Sequence, residues 1–402
     1  MTKLSPAIIW ALGATQVIGY GTLYYAFSVL APHLAASFGW SVEWVFGALT
    51  VALLLGGMAA PAAGHLAERF GAARLMVWGS LLCAALLAAA AIAPNGWLFA
   101  LALIGMEVAS TLVLYAAAFS ALVQMGGQGA QRSITHLTLI AGFASTLFWP
   151  LTAALLQVMD WRGVYLVFAL MNVLVCAPLH LWLSRQPAVS ILAPAATAVP
   201  PPSEDGLLAG QQRRSALTLM LVGFAVQGFT LSAVLLQMLP LLSGLGLGGN
   251  AVLIGSLFGP AQVLSRFINM VFGKGVSQTR LAIIAAGLLP AGLLTLALTT
   301  PAIAGAVMFA VLFGLGSGLT SIVSGSLPLY LLGRQGYAAR LGWLSAARQI
   351  ASAIAPFLLA LAMGALGIRA ALWLLLGIGL VAVLAFAAVA LLPQRLATAA
   401  AH

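Results

Sequence analysis

The stretch GHLAERFGAAR, Gly64 to Arg74, separates two apolar runs, 43–63 and 74–93, with glycines at 64 and 71 and charges at 68, 69 and 74. Each run is long enough for a helix to cross the hydrocarbon layer, which takes about 20 residues. A turn this short makes the two helices antiparallel neighbours. Outward from it, similar runs predict helices at 7–30, 97–124, 132–157, 162–183, 215–241, 250–273, 280–298, 301–332, 338–364 and 368–392, twelve in all. With 63% hydrophobic residues, 5% charged residues and a mean hydropathy of +1.12, the 402-residue chain cannot clothe a soluble globule. A soluble surface needs about a quarter charged residues. The run after Lys3 starts as a secretory signal would, but it is too long and has no small-x-small site before Pro32-His33, so it reads as a retained helix one.

Charge placement sets the expected topology. With the amino terminus inside, cytoplasmic segments hold Lys3, Arg69, Arg74, Arg132, Arg185, Arg213, Arg214, Lys274, Arg280, Arg334, Arg340 and Arg395, against Arg162 and Arg369 outside. That excess of inside positives predicts a multi-pass protein of a bacterial-type inner membrane with both termini cytoplasmic. The net charge of +10 does not indicate nucleic acid, because no basic run is interleaved with aromatics. Cys83 and Cys176 lie in different helices without CxxC spacing and read as packing residues. No phosphate-binding glycine loop or paired-histidine metal site occurs, so neither an enzyme nor a cofactor is indicated. The expected partners are the bilayer and a small solute, with the protein a monomer.

The longest polar interruption, 184–214, is proline-rich and flanked by arginines, and it reads as a cytoplasmic linker between bundles at 1–183 and 215–402. A slide of about 206 to 209 residues aligns Gly64 with Gly273, Arg74 with Arg280, Pro150 with Pro356 and Trp161-Arg162 with Ile368-Arg369, which indicates a duplicated six-helix unit.

Two six-helix halves joined in this way resemble the major facilitator superfamily, and Gly64–Arg74 resembles its signature between helices two and three. Glu68 stands for the family's aspartate, and Ala72-Ala73 replace its basic pair, with Arg74 following. The second-half copy, GKGVSQTR at 273–280, keeps the glycine and the last arginine. The resemblance implies an all-α fold of two pseudo-symmetric bundles that rock around a midplane site. It also implies that Gly64, Glu68, Arg69, Gly71 and Arg74 gate the cytoplasmic side. The chemistry of such a gate is mechanical: glycines let helix ends approach, and a carboxylate can pair with an arginine or with a helix N-terminus. Trp161-Arg162-Gly163 reads as an interfacial anchor.

Two arginines stay inside apolar runs: Arg266 in helix eight and Arg348 in helix eleven. A buried guanidinium costs several kcal/mol unless paired or hydrated, so each faces a cavity or a partner, or snorkels to the interface. Of the six acids only Glu107, in helix four, is intramembrane. It is the candidate proton carrier, with pairing to Arg132 as the alternative. Two buried cations and at most one buried anion predict a cavity that takes an anion, since guanidinium binds carboxylate through two parallel hydrogen bonds. The pair resembles the oxalate/formate antiporter branch, in which basic residues of helices eight and eleven hold the substrate's carboxylates. Monocarboxylate transporters, a related branch, share the helix-eight arginine, but their aspartate four residues earlier and their helix-one lysine are here Gln262 and Ile18.

Further lining is expected from Gln16, Tyr20 and Tyr24, one face of helix one at four-residue spacing with Tyr25 on another, and from Tyr115, Gln227 and Gln262. Helix five, with His136, Gly142 and Pro150, lacks the glycine-proline pattern of many proton-driven drug exporters. The sequence therefore predicts a secondary transporter of a small mono- or dicarboxylate, by exchange or proton coupling. The alternatives are an exporter of drugs or amphipathic metabolites and a ligand sensor.

Overall fold

The computed structural model describes residues 4–126, 129–187, 206–208 and 210–399, except the side chains of Lys274 and 393–399. Lys3, Glu204, Asp205, most of the expected linker and the side chains of Lys274 and Arg395 lie outside the described residues. Among those described, every regular element is a helix. In order they are 6–38, Val42–Phe70, Ala72–Ile92, Gly96–Gly126, Ala130–Leu155, Trp161–Ser184, Gly210–Leu242, 251–272, Gln278–Thr299, Ile303–Leu332, Tyr337–Leu366 and Ile368–Ala399, referred to below as helices one to twelve. Ten helical runs are long and apolar enough to span a membrane, and one of them, Gly210–Phe272, doubles back at Gly246, where a φ of 83° favours glycine. Helix one runs through Pro32 to Phe38 rather than stopping at 30, because backbone in lipid must satisfy itself. Helix seven starts at Gly210, so Arg213 and Arg214 fall in its first turns rather than in a linker.

The chain divides into two compact units, Met1–Ala198 with Gly336–Ala346, and Val199–Gln335 with Ala347–His402. The first is built on Phe27, Leu30, Leu34, Phe99, Leu103 and Phe168. Trp161 belongs to that core and not to an interfacial belt: its ring lies 5.4 Å from Phe38 and 5.8 Å from Phe99. Arg162 donates to Ala91 O at 2.6 Å and Ala93 O at 2.9 Å, closing the end of helix three, while Asp160 caps helix six through Gly163 N at 2.9 Å.

The second unit is built on Leu241, Leu242, Leu289, Leu293, Phe309, Phe313 and Leu375. Helices eight and ten meet backbone to backbone, since a Cβ on Gly314 would lie 2.6 Å from Phe258 O and one on Gly318 would strike Gln262 O and Ser265 Oγ. Only glycine permits that approach. In helix eleven Pro356 cannot donate to Ser352 O, and Ser232 of helix seven supplies the missing proton at 2.6 Å.

Candidate functional site

The second unit gathers its polar side chains on one face of helix ten. Thr320 Oγ1 donates to Gly316 O at 2.7 Å, and Ser321 Oγ donates to Ser317 O at 3.4 Å, so both hydroxyls keep lone pairs for incoming donors. Three arrive. Gln227 Nε2 of helix seven donates to Thr320 Oγ1 at 2.7 Å, Gln262 Nε2 to Ser317 Oγ at 2.8 Å, and Arg266 Nη2 to Ser321 Oγ at 2.9 Å. Arg266 Nε also points at Gly318 O, 3.4 Å away, and the residue is 3% exposed. Gln227 Oε1 is buried without a hydrogen-bond partner among the described residues.

Arg348 is placed differently. It is exposed, makes no hydrogen bond among the described residues, and lays its stem on Gly228, where a Cβ would lie 2.6 Å from Arg348 Cγ. From Gly206 to His402 the sequence holds ten Lys or Arg and no Asp or Glu. An Asp or Glu opposite either arginine cannot come from that part of the chain.

In the first unit the corresponding cluster joins helices one and four. Helix four breaks between Ser110 and Tyr115, mid-span, where Leu112 and Val113 bond three residues back, to Ala109 O at 3.0 Å and Ser110 O at 3.1 Å. Gln16, fully buried, donates its Nε2 to Val113 O at 2.7 Å, and its Oε1 has no partner among the described residues. Helix one has its own irregularity, a π turn at Gly21–Tyr25. That turn corrects the expected face. Residues five apart now align, so Tyr25 rather than Tyr24 follows Tyr20, at 6.4 Å between rings. Tyr20 meets Tyr115 at 4.7 Å, and Tyr115 stacks on Phe119 at 5.0 Å with 10° between planes. Tyr24 lies edge-on to Tyr25 at 5.3 Å, and Trp149 of helix five is edge-on to Tyr25 at 6.1 Å.

Glu107, one turn before the break, is 3% exposed. Ser110 Oγ donates to the Glu107 backbone O at 2.7 Å, and Arg132 is exposed and not a partner of the Glu107 carboxyl.

The Gly64–Arg74 turn is held by two devices. Gln124 of helix four donates to Ala67 O at 3.0 Å and accepts from Ala72 N at 2.8 Å, pinning both sides of Gly71, whose φ is 86°. Glu68 accepts from Ala338 N at 2.6 Å, a carboxylate at the N-terminus of helix eleven, within the first unit. Gly64 abuts Ala338 O, and a Cβ on Gly342 would lie 2.6 Å from Ala60 O. Arg69 lies over the Phe70 ring at 5.1 Å, and Arg74 is exposed. Gln124, Tyr25, Trp149 and the helix-ten hydroxyls carry no sequence signal that separates them from packing residues.

Helices of membrane-spanning length, with polar side chains clustered inside each unit, are those of an integral membrane protein. The chain belongs to the Major Facilitator Superfamily, whose sequence profile matches residues 12–339. Members of that family are transporters. No curated protein matches the chain. Among solved structures, the human organic anion transporter MFSD10 (TETRAN) superposes with a TM-score of 0.74 at 15% identity, covering 96% of this chain and 100% of that one. The E. coli fucose:proton symporter FucP superposes at 0.64 with 16% identity over 96% of this chain and 98% of that one. A second FucP structure, in the outward conformation, gives 0.68 at 15% identity over 98% of each. At these identities the likeness is one of fold.

Proposed function

We propose that the protein is a secondary transporter of a small organic anion, a mono- or dicarboxylate. The observation that carries this reading is Arg266: a guanidinium buried in a membrane helix beside hydroxyl and carbonyl oxygens of helix ten, in a stretch, Gly206 to His402, whose sequence has no Asp or Glu. Serine and carbonyl oxygens orient the guanidinium, and a substrate carboxylate is the ligand that a guanidinium binds through two parallel hydrogen bonds. Arg348 is the second candidate cation, and Gln262 and Gln227 are candidate donors beside Arg266. An arginine in helix eight with a basic residue in helix eleven is the feature that resembles the oxalate/formate antiporter branch, where the helix-eleven residue is typically lysine. A dianion held by both leaves no excess positive charge on the loaded carrier, which favours exchange. Glu107 is the candidate carrier if a proton is coupled instead. Glu68 on the helix-eleven N-terminus, with Gly64, Arg69, Gly71 and Arg74, is the candidate gate.

The test is uptake of a panel of labelled carboxylates into proteoliposomes. Arg266→Gln is expected to lower kcat/KM about 100-fold, with Arg266→Lys intermediate. Saturable carboxylate uptake that survives Arg266→Gln unchanged overturns the reading. In the same vesicles, dependence on a preloaded anion marks exchange, and collapse with a protonophore marks symport.

A further inference from the structure

The two units close the same helix end differently. In the first, Arg162 of helix six donates to Ala91 O at 2.6 Å and to Ala93 O at 2.9 Å and so covers the end of helix three. The slide that aligns Arg162 with Arg369 also aligns Ile92 with Thr299, the last residues of helices three and nine, and puts Leu298 and Thr300 where Ala91 and Ala93 stand. In the second unit this contact is open. A cavity of about 290 Å³ lies there, and Leu298, Thr300, Arg369, Leu372 and Trp373 are among the residues around it, all of one unit. Arg369 is exposed and makes no hydrogen bond or ion pair among the described residues, and Thr300 Oγ1 is buried without a partner among them. Gly367 stands where Asp160 caps helix six, so helix twelve has no acid in its first turn. The start of helix twelve is nonetheless fixed: a Cβ on Gly244 would strike Ile368 Cδ1, and Ala371 N donates to Gly367 O at 3.0 Å.

A guanidinium at the end of a membrane helix, without an acceptor inside the protein, takes one from its surroundings. No Asp or Glu occurs among the described residues of this unit, so the acceptor is not one of their carboxylates. The wall beside the arginine is apolar and open, with Leu298 67% and Trp373 48% exposed. Tryptophan beside arginine at the end of a spanning helix belongs to the headgroup level of a bilayer, where a phosphate lies next to the first carbons of acyl chains. A free inorganic anion uses the guanidinium and leaves the apolar wall uncovered, whereas a phospholipid covers both. A zwitterionic headgroup adds an ammonium for which the wall has no carboxylate, and this favours an anionic one. We infer that the cavity is a binding site for an anionic phospholipid, whose phosphate takes two parallel hydrogen bonds from Arg369 and whose acyl chain lies on Leu298 and Trp373. The site shares no residue with the Arg266 cluster, so it stands or falls apart from the organic-anion reading.

The experiment follows the first lipid bound by the full chain, purified in detergent, using native mass spectrometry with dioleoylphosphatidylglycerol or dioleoylphosphatidylcholine, and with inorganic phosphate as competitor. Melting temperature is measured in parallel. Phosphatidylglycerol is expected to bind about tenfold more tightly than phosphatidylcholine, and Arg369→Gln to lose about tenfold in phosphatidylglycerol affinity. Arg369→Lys is expected to fall between, since it keeps the charge without the paired donors, and it controls for misfolding. Inorganic phosphate at the lipid's concentration is expected to leave the lipid bound. Arg162→Gln supplies the contrast: it is expected to lower the melting temperature of the lipid-free protein and to leave lipid affinity unchanged. Phosphatidylglycerol affinity that survives Arg369→Gln overturns the inference, and so do equal affinities for the two lipids. Displacement of the lipid by inorganic phosphate overturns it in favour of a free anion. A lipid-free melting temperature lowered as much by Arg369→Gln as by Arg162→Gln overturns it in favour of a helix cap.

Discussion

The two units place a glutamine in corresponding helices and use it alike, yet the surroundings diverge. Gln16 of helix one donates to helix four, and Gln227 of helix seven donates to helix ten; both leave a buried Oε1 without a partner among the described residues. In the first unit the acceptor is a carbonyl, Val113 O, freed because helix four is broken there. In the second the acceptor is the Thr320 hydroxyl, and helix ten runs unbroken from Ile303 to Leu332. One half spends backbone irregularity on aromatic rings, and the other keeps its backbone regular and offers hydroxyls to an arginine. The two units thus differ in what surrounds the glutamine: aromatic rings in the first, and hydroxyls facing an arginine in the second.

The comparison breaks most readily at the glycines. A Cβ at Gly318 meets the helix-eight backbone, whereas one at Gly105 of helix four meets the far end of the Leu86 side chain, Cδ2 at 2.8 Å and Cδ1 at 3.2 Å. Gly318→Ala is expected to cost about 3 kcal/mol and Gly105→Ala about 1 kcal/mol, because the end of a side chain gives way where backbone does not. Thermal unfolding in detergent checks this, and equal losses would show that the irregular helix is no more yielding than the regular one. Next come the glutamines. Gln16→Leu strands Val113 O and is expected to cost about 2 kcal/mol, while Gln227→Leu leaves Thr320 still bonded to Gly316 O and costs about 1 kcal/mol. The reverse order would remove the distinction drawn between a freed carbonyl and a self-satisfied hydroxyl. The smallest effect belongs to Ser321, a positioning residue for Arg266. Ser321→Ala is expected to raise the substrate KM about threefold with little change in melting temperature, and Ser321→Thr to restore it.

Much of the fold was legible in the sequence, because apolar runs of bilayer length have one regular outcome. Arg266 was legible for a related reason: a charge inside such a run has no cheap place to be. The rest depended on details that composition does not encode. GTLYY at 21–25 and TLVL at 111–114 contain no proline, and whether a backbone bond spans three, four or five residues is decided by tertiary neighbours. A strict four-residue face therefore paired Tyr24 with Tyr20, and one extra residue in the turn exchanged it for Tyr25. The hydroxyls of helix ten lie in GSGLTSIVSGS, which reads as small-residue packing until the donors facing it are known. Gln124 is the converse case, a polar residue near a helix end whose two-sided grip on the 64–74 turn has no sequence mark.

The acid-free stretch from Gly206 onward has a consequence for counter-charge. Its ten Lys and Arg share the stretch with no Asp or Glu, so an acidic side chain that pairs with any of them comes from the first 205 residues. Whatever such pairs leave over is neutralised by lipid headgroups or dissolved ions, and that part weakens as ionic strength rises.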